Sequence, residues 1–323
     1  MGRGRASRHR RREQGDGTLR TTGICIGAST VTLATMVGEP DGPRVGTTRA
    51  IAHEGDPRGI LAGLFDGPEV RDADRVAVTG RRLRLAVRAS HIPEPEALEA
   101  AYAFWARDGR SARTLVSAGG ETFLAFRLDE RGAIVGVQSG NKCASGTGEF
   151  FLQQLRRMDL SVEEALEAAE DAEPYRVAGR CSVFCKSDCT HALNKGAARP
   201  HVVAGLCDMM AGRILELLRD ADPGPVLLVG GSSANRVMVR FLRNAGVDVH
   251  IPPGSRHFEA IGAALWAMDH DTLPAPGGRD LFLPSAAGFR THPPLDAALD
   301  RVAFLEMPRG TPEAGDACVL GVD

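Results

Sequence analysis

Thr21-Thr22-Gly23-Ile24-Cys25-Ile26, then Gly27-Ala28-Ser29-Thr30, then Val31 to Val37, is the stretch whose reading decides the fold. Two apolar, β-branched runs separated by four small residues read as strand, tight turn, strand. The pattern recurs: Thr114 to Ala118 enters Gly119-Gly120-Glu121, Thr122 to Leu128 resumes, Glu130-Arg131-Gly132 turns, and Ala133 to Gln138 returns. After the first hairpin come a buried strand at 75–79 and, past Pro93, an amphipathic helix over 94–107. After the second come helices near 146–158, 162–171, 201–219, 233–244 and 258–268, with strands at 226–229 and 247–251. Two hairpin-opened α/β units predict two similar lobes with a cleft between them, one over 21–112 and one over 113–270.

The 323 residues, 43% hydrophobic and 25% charged, have the balance of a soluble globular protein and exclude a wholly disordered chain. Aromatics are only 5% and glycines number 38, so the core rests on Ala, Val, Leu and Ile. No apolar run of about 18 residues is present and the first twenty residues carry no apolar stretch, so no membrane span or signal peptide is expected and the location reads as cytoplasmic. Residues 1–20 hold seven Arg against Glu13 and Asp16, a local net of +5 that leaves −7 on the remaining 303 residues. Such a tail can meet nucleic acid or anionic lipid, but an unstructured extension is the expected reading and nucleic acid is not an expected partner. From residue 271 the chain is rich in Pro and Gly and reads as linker, until Ala317-Cys318-Val319-Leu320-Gly321-Val322-Asp323 looks like the start of another strand.

Three glycine turns end predicted strands: Gly27-Ala28-Ser29-Thr30, Gly119-Gly120-Glu121-Thr122 and Gly230-Gly231-Ser232-Ser233. Strand-end glycines followed by Ser or Thr leave backbone N–H groups free to hold phosphate oxygens, and the third turn also starts a helix. Each alone reads equally well as a plain turn; three in this order on two hairpin-opened lobes favour a nucleotide cleft. No GxxxxGK[ST] occurs, which excludes a P-loop.

The cysteines divide by context. Cys143 precedes a predicted helix N-terminus, where the dipole favours a thiolate. Cys181, Cys185 and Cys189 are four apart, so a helix would put them on one face; the spacing is not that of a structural zinc site. A [4Fe–4S] cluster takes four thiolates, which a symmetric dimer could supply two by two. Cys185 and Cys189 stand equally as ligands or as buried residues, whereas Cys25, Cys207 and Cys318 read as small buried apolar side chains.

The segments NKCASGTGEFF (141–151), GRCSVFCKSD (179–188) and LLVGGSSAN (227–235), in this order, resemble the ATPase activators of 2-hydroxyacyl-CoA dehydratases and the ATP-binding subunits of benzoyl-CoA reductase. The resemblance runs from about Thr21 to Met268. It implies an α/β fold of two ribonuclease-H-like lobes around an ATP cleft, the fold of acetate and sugar kinases, 70-kDa heat-shock proteins and actin. It also implies a homodimer bridged by one [4Fe–4S] cluster on Cys143 and Cys181 of each subunit, with Cys185 and Cys189 as further candidates. ATP and Mg²⁺ would drive one low-potential electron, drawn from a ferredoxin or flavodoxin, to an acyl-CoA dehydratase or reductase. Gly27, Ala28, Ser29 and Thr30 would form the first phosphate turn, Gly119 and Gly120 the second, and Gly230 and Gly231 the adenosine-side turn.

Two departures stand out. The resemblance calls for an Asp, organising Mg²⁺ and the attacking water, where this chain has Cys25, and for a second acid after Gly119-Gly120 where Glu121 is the only neighbouring substitute. Nucleotide binding is expected to survive, and hydrolysis to be slow. Val319 to Asp323 resembles the start of another first-turn strand that does carry the acid, so the chain reads as the N-terminal unit of a tandem protein, with 271–323 as the linker into a truncated second unit. The competing readings are a non-catalytic nucleotide-binding scaffold and a small-molecule kinase of the same fold.

Overall fold

The computed structural model describes residues 18–140, 147–178, 181–219, 223–284 and Ala303. Cys143, Cys318, the basic tail to residue 17 and nearly all of 285–323 lie outside the described residues. Residues 1–283 form one compact unit and 284–323 a second.

The first sheet opens with β1 (Arg20–Ile26) and β2 (Thr30–Glu39), as the sequence predicts, and adds β3 (Gly42–Ala52) as a third antiparallel strand. Helices α1 (Pro57–Phe65) and α2 (Pro68–Arg71) follow, then β4 (Arg75–Gly80), β5 (Ser90–His91) and α3 (Glu94–Ala106). The strand order is β3-β2-β1-β4-β5, with β4 parallel to β1. The second sheet repeats this plan. Its meander is β6 (Thr114–Ala118), β7 (Phe123–Leu128) and β8 (Ile134–Ser139). There follow α4 (Gly148–Arg157), α5 (Val162–Ala168), α6 (Ser182–Asn194), α7 (Arg199–Leu218), β9 (Val226–Val229), α8 (Arg236–Asn244), β10 (Val249–His250) and α9 (Phe258–Asp269). The order β10-β9-β6-β7-β8 is the first sheet's order read backwards, with β9 parallel to β6 as β4 is to β1.

The period-two alternation of β1 sends its side chains to two different cores. Ile24 and Ile26 join Val76, Val78 and the α1 residues Leu61, Leu64 and Phe65. Cys25, on the other face, packs with Ala34 and Met36 against Ala260, Ile261 and Ala264 of α9. Helix α3 is shared: Ala97 packs with Ala263 and Ala267, while Leu98, Ala101, Tyr102 and Trp105 cover Leu115, Phe126, Leu227 and Val229 of the second sheet. The pair α3 and α9 therefore forms a layer between the two sheets. Gly262 permits their crossing, because a Cβ there would run into the carbonyl of Ala97. The remaining second-lobe helices bury Val116, Ala118, Phe123 and Ala125 on the other face of that sheet.

Two boundaries differ from the sequence reading. The second lobe does not run unbroken to 270, since α9 crosses back to the first sheet. The linker does not begin at 271 either. Leu281 is wholly buried in the α1 core, Phe282 bridges Val87, and the Arg58 guanidinium stacks 4.6 Å from the Phe282 ring centre. The Pro and Gly of 274–278 shape this return rather than loosen it; the Gly278 amide donates to Asp66 Oδ1 at 3.1 Å.

Candidate functional site

A cleft of about 440 Å³ is lined by elements of both lobes. The structural repeat explains why. The turns after β1 and β6 occupy equivalent places and close alike: the Gly27 amide donates to the Thr30 carbonyl at 2.9 Å, and the Gly119 amide to that of Thr122 at 3.1 Å. Gly27, Ala28, Ser29, Thr30, Gly119, Gly120, Gly230 and Gly231 all line the cleft, so the three turns singled out in the sequence face one space. A fourth, after β4, escaped the sequence reading: Gly80, φ +99°, is the repeat partner of Gly230, φ +89°. Its only sequence signal is a glycine ending the buried run Val76-Ala77-Val78-Thr79.

The turns approach so closely that side chains would not fit. A Cβ on Gly120 would lie 2.6 Å from Ser29 Oγ, and one on Gly148, the first residue of α4, 2.7 Å from Ser232 Oγ. The amides of Gly148 and Glu149 donate to the carbonyls of Gly119 and Gly120 at 3.3 and 2.8 Å, which fixes the start of α4 against the second turn. Ser29 Oγ donates to Glu149 Oε2 at 2.6 Å. The third turn is braced by Ser233 Oγ, 2.7 Å from the Gly230 carbonyl and 2.8 Å from Ser255 Oγ. Asn235 caps α8 by accepting from the Met238 amide at 2.9 Å, and its Nδ2 donates to Cys207 Sγ at 3.3 Å. Burial pushes the Cys207 thiol up to about 12, so it serves as a packed prop for this cap. Helices α4, α5 and α7 add the apolar lining of Phe151, Leu152, Leu166 and Met210.

Cys25 lines the cleft at the end of β1, where burial and then the carboxylates of Glu259 and Glu94 push its thiol well above the ordinary range. It is a neutral thiol. Glu121 does not line the cleft. Its side chain is 63% exposed and pairs with Arg81 Nη1 at 3.3 Å, while Arg81 Nη2 donates to Thr122 Oγ1 at 3.0 Å. The acids that line it among the described residues are Glu94, Glu163 and Glu259, and none was singled out in the sequence. Glu259, only 7% exposed, accepts from Ser117 Oγ at 3.0 Å. Burial, with Glu94 beside it, pushes its carboxyl up to about 7. Burial also raises Glu94, against the pull of Arg81 and Arg84.

Cys181 is the N-cap of α6, half-buried, ahead of Val183 and Phe184, which are 70% and 66% exposed. Cys185 and Cys189 turn inward to the second-lobe core. The Cys185 thiol lies 3.6 Å from Met209 Sδ; its hydrogen bond to Cys189 holds its own titration up and that of Cys189 down. Among the described residues no group of three or more His, Cys, Asp or Glu is arranged to hold a metal ion, and no helix is long and apolar enough to cross a membrane.

The profile of the BadF/BadG/BcrA/BcrD ATPase family matches residues 83–267. The activator of lactoyl-CoA dehydratase from Anaerotignum propionicum is 32% identical over 164 residues, 49% of this chain and 62% of that protein, so the match spans less than two thirds of that relative's length. A subunit of the benzoyl-CoA reductase of Thauera aromatica is 30% identical over 219 residues, 64% of this chain and 76% of that subunit. Among solved structures, the activator of the 2-hydroxyisocaproyl-CoA dehydratase from Clostridium difficile with bound ADPNP superposes with a TM-score of 0.69 over 78% of this chain and 95% of that one, at 24% identity. Component A of the Acidaminococcus fermentans (R)-2-hydroxyglutaryl-CoA dehydratase gives 0.67 at 22% identity, covering 78% and 98%. The architecture is thus that of the actin, 70-kDa heat-shock protein and sugar-kinase group.

Proposed function

The chain belongs to the BadF/BadG/BcrA/BcrD ATPase family, and on that premise we propose that it binds and slowly hydrolyses ATP in the cleft to activate an acyl-CoA dehydratase or reductase. The convergence of three strand-end turns and the start of α4 on one cleft carries this reading. Backbone N–H groups of the turns after β1 and β6, with the hydroxyls of Ser29 and Thr30, would hold the β- and γ-phosphates. The turn after β9 would face the nucleoside, whose purine suits the apolar lining from α4, α5 and α7. The half-buried Arg81 sits at the Thr122 side of the cleft as a cation for the phosphates. Slow hydrolysis follows from a neutral thiol at position 25, which offers Mg²⁺ no carboxylate.

The cluster belongs to this proposal. Cys181, at the exposed start of α6, fits a ligand role, whereas Cys185 and Cys189 face the core and each other. We assign Cys181 and Cys143 from each of two copies as the thiols that would hold a [4Fe–4S] cluster, Cys143 lying outside the described residues. When bound, the cluster supplies one-electron transfer from a ferredoxin or flavodoxin donor to the partner.

Anaerobic purification tests the whole. The expected protein binds ATP, releases phosphate slowly with Mg²⁺, carries iron and sulfide that Cys143→Ser and Cys181→Ser each abolish, and switches on a reduced dehydratase partner. A colourless protein that binds nucleotide without iron or turnover would establish the scaffold reading instead. Phosphorylation of a small molecule would establish the kinase reading.

A further inference from the structure

Two helices run between the sheets, and both begin at the cleft with a glutamate. Glu94 is the first residue of α3 and Glu259 the second of α9. Both line the cleft beside Cys25, and the crossing of the two helices brings the pair together. Neither is an ordinary helix-start acid. Such acids sit in water, where they complement the dipole, whereas Glu259 is almost wholly buried and bonded to Ser117 of the second sheet. Two neighbouring carboxylates, one buried and one half-buried, resist ionising together, so such a pair takes up or shares a proton near neutral pH.

A second observation marks the same place. Thr79 is wholly buried and pairs in register with Cys25, so it faces the same side of the sheet, and its Oγ1 has no hydrogen-bond partner among the described residues. A buried polar cluster with an unmet hydroxyl is the kind of place where a water molecule is held.

We propose that Glu259 is the proton acceptor for the water that attacks the terminal phosphate of ATP in this cleft, with Glu94 as the partner carboxylate that sets when Glu259 is free to accept. The inference rests on the ATP-hydrolysing reading above. The water oxygen bonds to the γ-phosphorus as the bond from phosphorus to the β,γ-bridging oxygen breaks. That electron pair leaves on ADP, and the water's proton passes to Glu259 and on to solvent. A carboxylate from α9 thus does what Cys25, a neutral thiol, cannot.

The groups facing Glu259 are Glu94 from α3, Cys25 from β1 and Ser117 from β6; Arg81 and Arg84 act on Glu94, and Arg256 lines the cleft ahead of α9. Glu259 accepts a proton only when ionised, so the turnover number should rise with pH through about 7 and level off above.

The test measures phosphate release by the full chain with saturating Mg²⁺-ATP from pH 5.5 to 9, together with ATP affinity. Glu259→Gln keeps size and a polar contact for Ser117. It should bind ATP as the wild type does, lose about 10²-fold in turnover and lose the rise near neutral pH. Glu94→Gln removes the neighbouring charge and should move that rise to lower pH, a displacement of the profile that mere loosening of the cleft would not produce. Wild-type turnover that Glu259→Gln leaves intact, with the same pH profile, overturns the inference and leaves the ATPase reading standing. A wild-type chain that binds ATP and never turns it over overturns both the inference and the hydrolysis it rests on. A chain that binds no ATP removes the nucleotide-cleft reading itself.

Discussion

Ser29 Oγ, in the turn after β1, donates a hydrogen bond to Glu149 Oε2, in the first turn of α4, at 2.6 Å. The bond joins the turn after β1 to a helix of the second lobe, and on the proposed ATP-binding reading it puts a carboxylate where phosphate oxygens would approach Ser29. Gln153 Nε2 lies 3.3 Å from the other oxygen of Glu149 and Arg156 Nη1 3.6 Å, so the carboxylate is positioned from several sides.

A nucleotide entering this turn must displace Glu149 or tolerate it. Glu149→Gln removes the like charge and keeps the hydrogen bond. ATP affinity should rise about fivefold, roughly 1 kcal/mol for a half-exposed charge pair. Titration calorimetry in low salt would read this, and unchanged or weaker binding would show that Glu149 swings clear at no cost.

Gly120 tests the closeness of the turns. Gly120→Ala places a methyl 2.6 Å from Ser29 Oγ, so the turns must part by several tenths of an ångström. ATP affinity should fall about tenfold, ~1.4 kcal/mol, while the melting temperature changes little because Gly120 fills no core. Undiminished binding would mean that the turns already stand apart in the nucleotide complex.

Glu259 also leaves a mark on stability. Its carboxyl titrates near 7 in the folded chain against an ordinary 4.5. The favourable contribution of the protonated form is therefore complete below pH 4.5 and is lost as pH rises through 7. Glu259→Gln carries no charge at any pH. It should be more stable than the wild type at pH 8 by up to about 3 kcal/mol, with the gap closing as pH falls towards 4.5. Urea denaturation at four pH values would show the convergence, and a constant offset would place Glu259 in a solvated setting.

The thiols should separate by reactivity. In the folded, cluster-free chain, a maleimide should label Cys181 well ahead of Cys185, Cys189 and Cys207, which are buried. The last three should react only on unfolding. Mass spectrometry of timed digests distinguishes them, and early labelling of Cys185 or Cys189 would mean that α6 opens readily.

Much of this was legible in the residues. The strand-turn-strand pairs and the three glycine turns carry their signal locally, since a tight turn needs its residues next to one another. β3 was not, because its outward-facing Arg44, Thr48 and Arg49 dilute the alternation a half-buried strand shows. α1 begins at Asp56-Pro57, a capping pair that reads equally as a turn. The acids were the larger miss. Glu94 and Glu259 look like ordinary first-turn helix acids 165 positions apart, and only the crossing of α3 and α9 brings them into one cleft. Glu121, next to the right turn in sequence, points out to Arg81. Adjacency in the chain pointed to a carboxylate outside the cleft lining, and packing puts Glu94 and Glu259 in it.

The return of α9 to the first sheet has a consequence for synthesis on the ribosome. Met36, Ala34, Cys25 and Ala77 of the first sheet take much of their cover from residues 260–267, and the α1 core waits for Leu281. Roughly the first hundred residues therefore emerge as a lobe with a bare apolar face, and the second lobe must be made before the first can be sealed. The first-made lobe is the last to be finished, and a ribosome stalled between α8 and α9 would hold a nascent chain with that face still open to chaperones.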